Sequence, residues 1–189
     1  MAILSSTHPD PDWIVGDSRQ VIPTTGNEWA DFVFTCPPYY DLEVYSDDPN
    51  DLSAMADWPM FLDAYSDIIG HALAALKRDR FAAIVVSEIR GKDGIFRGLV
   101  PQTIRQFELH GARFYNEAVL INPAGTLPMR IGRQFDASRK LGRSHQNILV
   151  FVKGDVPRTH EWDYDRAAVP APQLEMFDIP ATGADGRAL

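Results

Sequence analysis

The sequence has one cysteine, Cys36, in 189 residues, which excludes an intramolecular disulfide and most structural zinc sites and makes a reducing cytoplasm the simplest compartment. No apolar run approaches bilayer length, and the start, MAILSSTHPDPDW, lacks the basic-then-apolar order of a signal peptide, so the expectation is a soluble protein that is neither exported nor in a membrane. Positive charge is scarce: 18 Lys plus Arg stand against 26 Asp plus Glu, a net charge of −8. That argues against non-specific coating of nucleic acid while leaving room for a local basic surface. Gly-x-Gly occurs nowhere, so the turn that brings backbone close to a nucleotide in many strand-to-helix units is missing. What is present is 45% apolar residues, enough to bury one ordinary core and to exclude collagen, coiled coil or wholesale disorder.

Along the chain, residues 1–11 read as a polar extension, 12–155 as one domain, and 156–189, rich in Pro, Ala and Asp, as a flexible tail. Within the domain, Asp12–Val15, Ala30–Thr35, Phe81–Ile89, Tyr115–Ile121 and Asn147–Lys153 are apolar runs that suit strands buried on both faces. A helix capped by Asp57 is predicted from Trp58 to Lys77, and a second from Gly98 to His110. The alternation predicts an α/β fold of about five mostly parallel strands.

The segment richest in chemistry is Thr35-Cys36-Pro37-Pro38-Tyr39-Tyr40, directly after a predicted strand. Two prolines cannot continue a central ladder, so the chain leaves the sheet at the strand's carboxyl end, where open α/β sheets bind ligands. Rigid carbonyls without competing N–H donors, beside an aromatic ring, suit a grip on the exocyclic amino group of a planar base. Asp17 follows another predicted strand, where the alternative reading is a turn or helix cap.

Three blocks in order carry a resemblance: Trp13-Ile-Val-Gly-Asp17-Ser18, then Ala30 to Tyr39, then His145-Gln-Asn-Ile-Leu-Val-Phe-Val-Lys-Gly154. Over residues 12–155 the chain resembles the catalytic half of the amino-directed DNA methyltransferases, most of all phage and prophage DNA methylases, some tied to restriction–modification, whose motif reads CPPY. The resemblance implies a Rossmann-like methyltransferase fold and methyl transfer from S-adenosylmethionine to adenine N6 or cytosine N4 of DNA. It implies Cys36, Pro37, Pro38 and Tyr39 as catalytic, with Tyr39 stacking on a flipped base and the carbonyls of Cys36 and Pro37 accepting from the amino group. Asp17, Ser18 and Cys36 would meet the cofactor. A Cys36 thiolate attacking a pyrimidine ring and an inert packed cysteine are alternatives. No metal is implied.

The chain departs from that family in having neither the glycine-rich turn nor an Asp-Pro-Phe-x-Gly block for the methionine part of the cofactor. Three explanations follow: a separate polypeptide or upstream segment carrying the glycine-rich motif, which is favoured; a homodimer that builds the site; or a catalytically inactive, DNA-binding regulatory remnant.

Charge is uneven. From Arg130 to Arg143, five basic residues (Arg130, Arg133, Arg139, Lys140 and Arg143) face the single acid Asp136, making a basic loop, Gly125 to His145, the candidate DNA contact. Phe135 or Met129 would fill the gap left by a flipped base or pin the loop to the core, and His145 would cap the next strand. Glu88 and Arg90 read as pocket liners or as a salt bridge, and Asp41 and Glu43 as part of a loop closing over the site. In the tail, Gln173-Leu174-Glu175-Met176-Phe177 is similar to the peptide that docks on the replication sliding clamp.

Overall fold

A computed structural model describes residues 11–122 and 127–161. The chain divides into two compact units, Met1–Thr159 and His160–Leu189; only the first is described below. Its elements are α1 (Ser18–Thr24), β1 (Ala30–Thr35), α2 (Trp58–Ala75), β2 (Leu76–Val86), α3 (Leu99–Leu109), β3 (Ala112–Ile121), α4 (Leu127–Ser138) and β4 (His145–Lys153).

The four strands form one sheet in the order β1-β2-β4-β3. β1 pairs with β2 in parallel, while β4 lies antiparallel between β2 and β3. Three strands therefore share one direction, joined by the crossover helices α2 and α3, and β4 alone runs back. This is the expected α/β fold, but among the described residues the sheet has four strands rather than about five and is mixed, with one parallel and two antiparallel pairings instead of mostly parallel ones. The predicted strand Asp12–Val15 is not one: the segment has no regular structure, and Trp13, Ile14 and Val15 are 86%, 65% and 98% exposed. An apolar run becomes a strand only when a ladder accepts its N–H and C=O groups, and none lies beside it among the described residues.

α2 forms where its sequence says it should. The Asp57 carboxylate accepts the Met60 N–H at 2.8 Å, capping the first turn, and Phe61, Ala64, Tyr65, Ile69 and Leu73 fall at helical spacing on one buried stripe. The core lies between that stripe, α3 and one face of the sheet, which contributes Ala82, Ile84, Val86, Leu149 and Phe151. The buried Tyr65 hydroxyl meets the Thr103 hydroxyl at 3.1 Å, and Thr103 donates onward to the Leu99 carbonyl at 2.8 Å, so no polar group there is orphaned. The opposite face is also apolar: Phe32 and Phe34 of β1 stack on each other at 6.5 Å and stand 48% and 64% exposed.

α3 is capped from a distance. The Glu88 carboxylate accepts the N–H groups of Gly98, Leu99 and Val100 at 3.1, 3.2 and 3.0 Å. Glu88→Ala is expected to lower stability by about 1–2 kcal/mol in urea unfolding, and Glu88→Gln by less, because the amide keeps an acceptor.

Candidate active site

β1 ends at Thr35, and Pro37 and Pro38, which have no N–H to give, turn the chain away from the sheet's carboxyl edge. Cys36 is exposed, with Sγ 3.8 Å from the Tyr39 hydroxyl. Tyr39 is half-buried against the core. Burial, and then the contact with Cys36, push its hydroxyl well above the usual phenol range, so the ring is neutral at any physiological pH.

The next residue holds the turn in place. Tyr40 has φ +54°, a left-handed conformation unusual for a bulky side chain, and is buried against Trp58 and Phe61 with ring centroids 5.5 and 5.4 Å away. The Arg97 guanidinium sits 4.9 Å over its ring and pairs with Asp41 at 3.5 Å. Packing thus fixes Tyr40 and leaves Tyr39 beside a cavity of about 280 Å³ lined by Cys36, Pro37, Tyr39, Leu42, Glu43, Tyr45 and Gln146. The Tyr45 hydroxyl donates to Glu43 at 2.9 Å.

Asp17 lies elsewhere, as the N-cap of α1. Its carboxylate accepts the Arg19 N–H at 2.9 Å and pairs with the Arg19 guanidinium at 3.1 Å, while Arg19 also reaches the Asn50 side chain at 3.2 Å. Arg19 holds the Asp17 carboxyl below the usual carboxylate range. A folded value below the unfolded one stabilises the fold above the ordinary carboxylate pKa and is lost as pH falls through the folded value. Stability measured below about pH 4 should therefore drop less steeply in Asp17→Asn than in the wild type.

No protein-family model matches the chain, and no curated protein matches it in sequence. Solved structures do match. TTHA0409 of Thermus thermophilus, described as a DNA modification methylase and solved with S-adenosyl-L-methionine, superimposes with TM-score 0.56 and 19% identity over 75% of this chain and 54% of its own. The cytosine-N4-specific PvuII DNA methyltransferase gives TM-score 0.53 and 15% identity over 73% of this chain and 47% of its own. The chain shares the fold of these two methyltransferases. It spans about half the length of the methyltransferases it matches.

On that fold, Cys36, Pro37 and Tyr39 share the cavity at the end of β1, with Pro38 between them in the turn. Asp17, Ser18 and Cys36, expected to meet a cofactor together, are not gathered in one cavity: Asp17 lines a second one, of about 330 Å³, with Val15, Gly16, Ser46, Asp48, Asn50 and Asp51. Ser18 is the exposed first residue of α1. Arg139, Lys140 and Arg143 follow α4, and Arg143 donates to Ser87 at 3.2 Å, bringing the basic segment to the carboxyl end of β2.

The predicted loop from Gly125 to His145 is in large part the helix α4, which contains Arg130 and Arg133. Pro128 at its second position and a run of good helix formers outweigh Gly132, whose cost in a helix is only about 1 kcal/mol. Phe135 on α4 carries the Arg139 guanidinium 5.3 Å over its ring. His145 opens β4 opposite Ile121. Glu88 and Arg90 make no salt bridge with each other, because Glu88 is committed to α3. Gln146 escaped sequence reasoning: it reaches the cavity because antiparallel β4 presents its amino end where β1 and β2 present their carboxyl ends. Residues 1–10 and Gln173–Phe177 lie outside the described residues, among which no helix is long and apolar enough to cross a membrane.

Proposed function

We propose that this chain is the catalytic half of an amino-directed DNA methyltransferase, which moves a methyl group from S-adenosylmethionine to the exocyclic amino group of a flipped adenine or cytosine. The observation that carries this reading is the turn at the end of β1, where Cys36, Pro37 and the fixed ring of Tyr39 line one cavity. Tyr39 stacks on the extruded base, which must leave the duplex for its amino group to be reached. The carbonyls of Cys36 and Pro37 accept from the amino group, unopposed by local N–H donors because Pro37 and Pro38 have none. They stabilise the positive charge that grows on that nitrogen as it takes up the methyl group. Gln146 adds an amide at the rim, and Arg130, Arg133, Arg139, Lys140 and Arg143 hold the DNA backbone.

S-adenosylmethionine supplies the electrophilic methyl. Asp17 and Ser18 would meet its adenosine end and Cys36 would border the reacting centre, but the described residues fit it only in part: Asp17 lines a different cavity from Cys36 and pairs with Arg19, and no glycine-rich turn among them receives its methionine end. A separate polypeptide or segment with that turn has a place to pack, because β1 is an edge strand with Phe32, Phe34 and the Trp13–Val15 run exposed. A homodimer is the other way to complete the site, and the sliding clamp is a further partner through Gln173–Phe177.

Calorimetry with S-adenosylmethionine, followed by labelled methyl transfer to duplex DNA, tests the reading. The expected result is transfer by the chain, alone or with a glycine-rich half supplied in trans; failure of both overturns it. One observation favours a second reading, a DNA-binding remnant without catalysis: the Asp17 carboxylate is already taken by Arg19. In that case Tyr39→Ala leaves function intact, while Arg139→Ala with Lys140→Ala removes it.

A further inference from the structure

The carboxyl end of β2 leads into a hairpin that the proposed reaction does not use. The Arg97 N–H donates to the Ile89 carbonyl at 2.9 Å and the Gly91 N–H to the Ile95 carbonyl at 2.8 Å, with Arg90 bridged to Phe96. Gly94, at φ +83°, makes the tip turn. The Arg90 guanidinium donates to the Gly94 carbonyl at 2.7 Å and lies 3.9 Å over the Phe96 ring, and that of Arg143 approaches the same ring at 5.8 Å. Lys140 packs beside Gly94, where an added Cβ would sit 3.4 Å from its Nζ.

Four cations, Arg90, Lys92, Lys140 and Arg143, thus surround one rigid turn. Among the described residues none of them forms a salt bridge with a carboxylate. Of the acids nearby, Asp41 is compensated by its pair with Arg97, and Asp93, which accepts the Ile95 N–H at 3.0 Å, leaves one negative charge against the four cations. Tyr40 and Asp41 share a cavity with Lys92, Ile95 and Phe96, so this surface adjoins the turn that holds Tyr39.

We propose that the Ile89–Arg97 hairpin is a second DNA-backbone contact, in which Arg90 and Lys92 join Lys140 and Arg143 in gripping the phosphates next to the flipped nucleotide. The inference rests on the reading of the chain as acting on DNA, and its charge complements a phosphodiester backbone while the protein as a whole is acidic. Arg90, fixed by ring stacking and a backbone hydrogen bond, and Arg143, bonded to Ser87, lose little freedom on binding, and Lys92 and Lys140 add charge beside them.

The test is fluorescence polarisation of labelled duplex DNA with the full chain across a salt series. Lys92→Gln is expected to keep the wild-type melting temperature, weaken binding several-fold and reduce the slope of log affinity on log salt by about 1. Lys92→Gln with Arg90→Gln should reduce it by about 2, with binding weakened about 10-fold or more. Unchanged affinity and slope in folded variants overturn the hairpin contact while leaving the reaction open to its own assay. Wild-type binding that depends on Lys92, with no methyl transfer by the chain alone or with a glycine-rich half in trans, supports the hairpin and removes the reaction. Dependence on Lys92 for single-stranded RNA but not duplex DNA overturns DNA as the occupant.

Discussion

Alanine at Tyr39 is expected to lower methyl transfer about 100-fold, measured as kcat/KM for labelled methyl incorporation into duplex DNA. A base stacked on an aromatic ring gains about 1–3 kcal/mol, and the upper end of that range corresponds to about 100-fold in rate. The upper end applies because the ring is held before the base arrives: Tyr40 is locked by Trp58 and Phe61, and Tyr39 itself packs on the core. Tyr39→Phe keeps the stacking face and gives up only the contact between the hydroxyl and Cys36, so it should retain most activity. The alanine variant should keep most of its DNA affinity, because the phosphate contacts lie elsewhere. Near-normal turnover in a folded Tyr39→Ala variant would refute the stacking role.

What the sequence made legible follows how local each signal is. α2 could be read because its cap, Asp57, and its stripe from Phe61 to Leu73 are contained in one stretch of chain. The end of β1 could be read because two adjacent prolines forbid a ladder whatever surrounds them. Trp13-Ile-Val had the composition of a strand and is exposed coil, because a strand is defined by a neighbour as much as by its own residues. α4 was hidden by Gly125, Gly132 and Gly142, which punctuate the segment like a loop. Asp17 carried two readings from the start: its place as the cap of α1 depends on Arg19, two residues away. Glu88 and Gln146 were beyond local reading, since one caps a helix ten residues downstream and the other depends on the direction of β4. The cavity was therefore half legible, its Cys36–Tyr39 wall from the motif and its opposite wall only from the sheet order.

The largest stability effect is expected at Phe107, the joint between α3 and the sheet. Its ring is 1% exposed and lies almost flat on Phe151, with centroids 3.9 Å apart and 5° between planes. Phe114 closes on the same Phe151 ring at 5.5 Å. Removing such a ring forfeits its transfer energy and leaves a cavity that two aromatic neighbours in a sheet cannot collapse to fill, so Phe107→Ala should cost about 3–5 kcal/mol. Against a total of about 5–15 kcal/mol for an ordinary domain, that moves the urea midpoint far towards zero. Phe107→Leu keeps much of the volume and should cost far less. Because Glu88 ties the start of α3 to the chain leaving β2, loosening α3 also frees the 89–97 hairpin. Phe107→Ala should then lose DNA affinity at urea concentrations where the sheet still holds, whereas loss of binding only at global unfolding would mean that the hairpin is held by β2 alone.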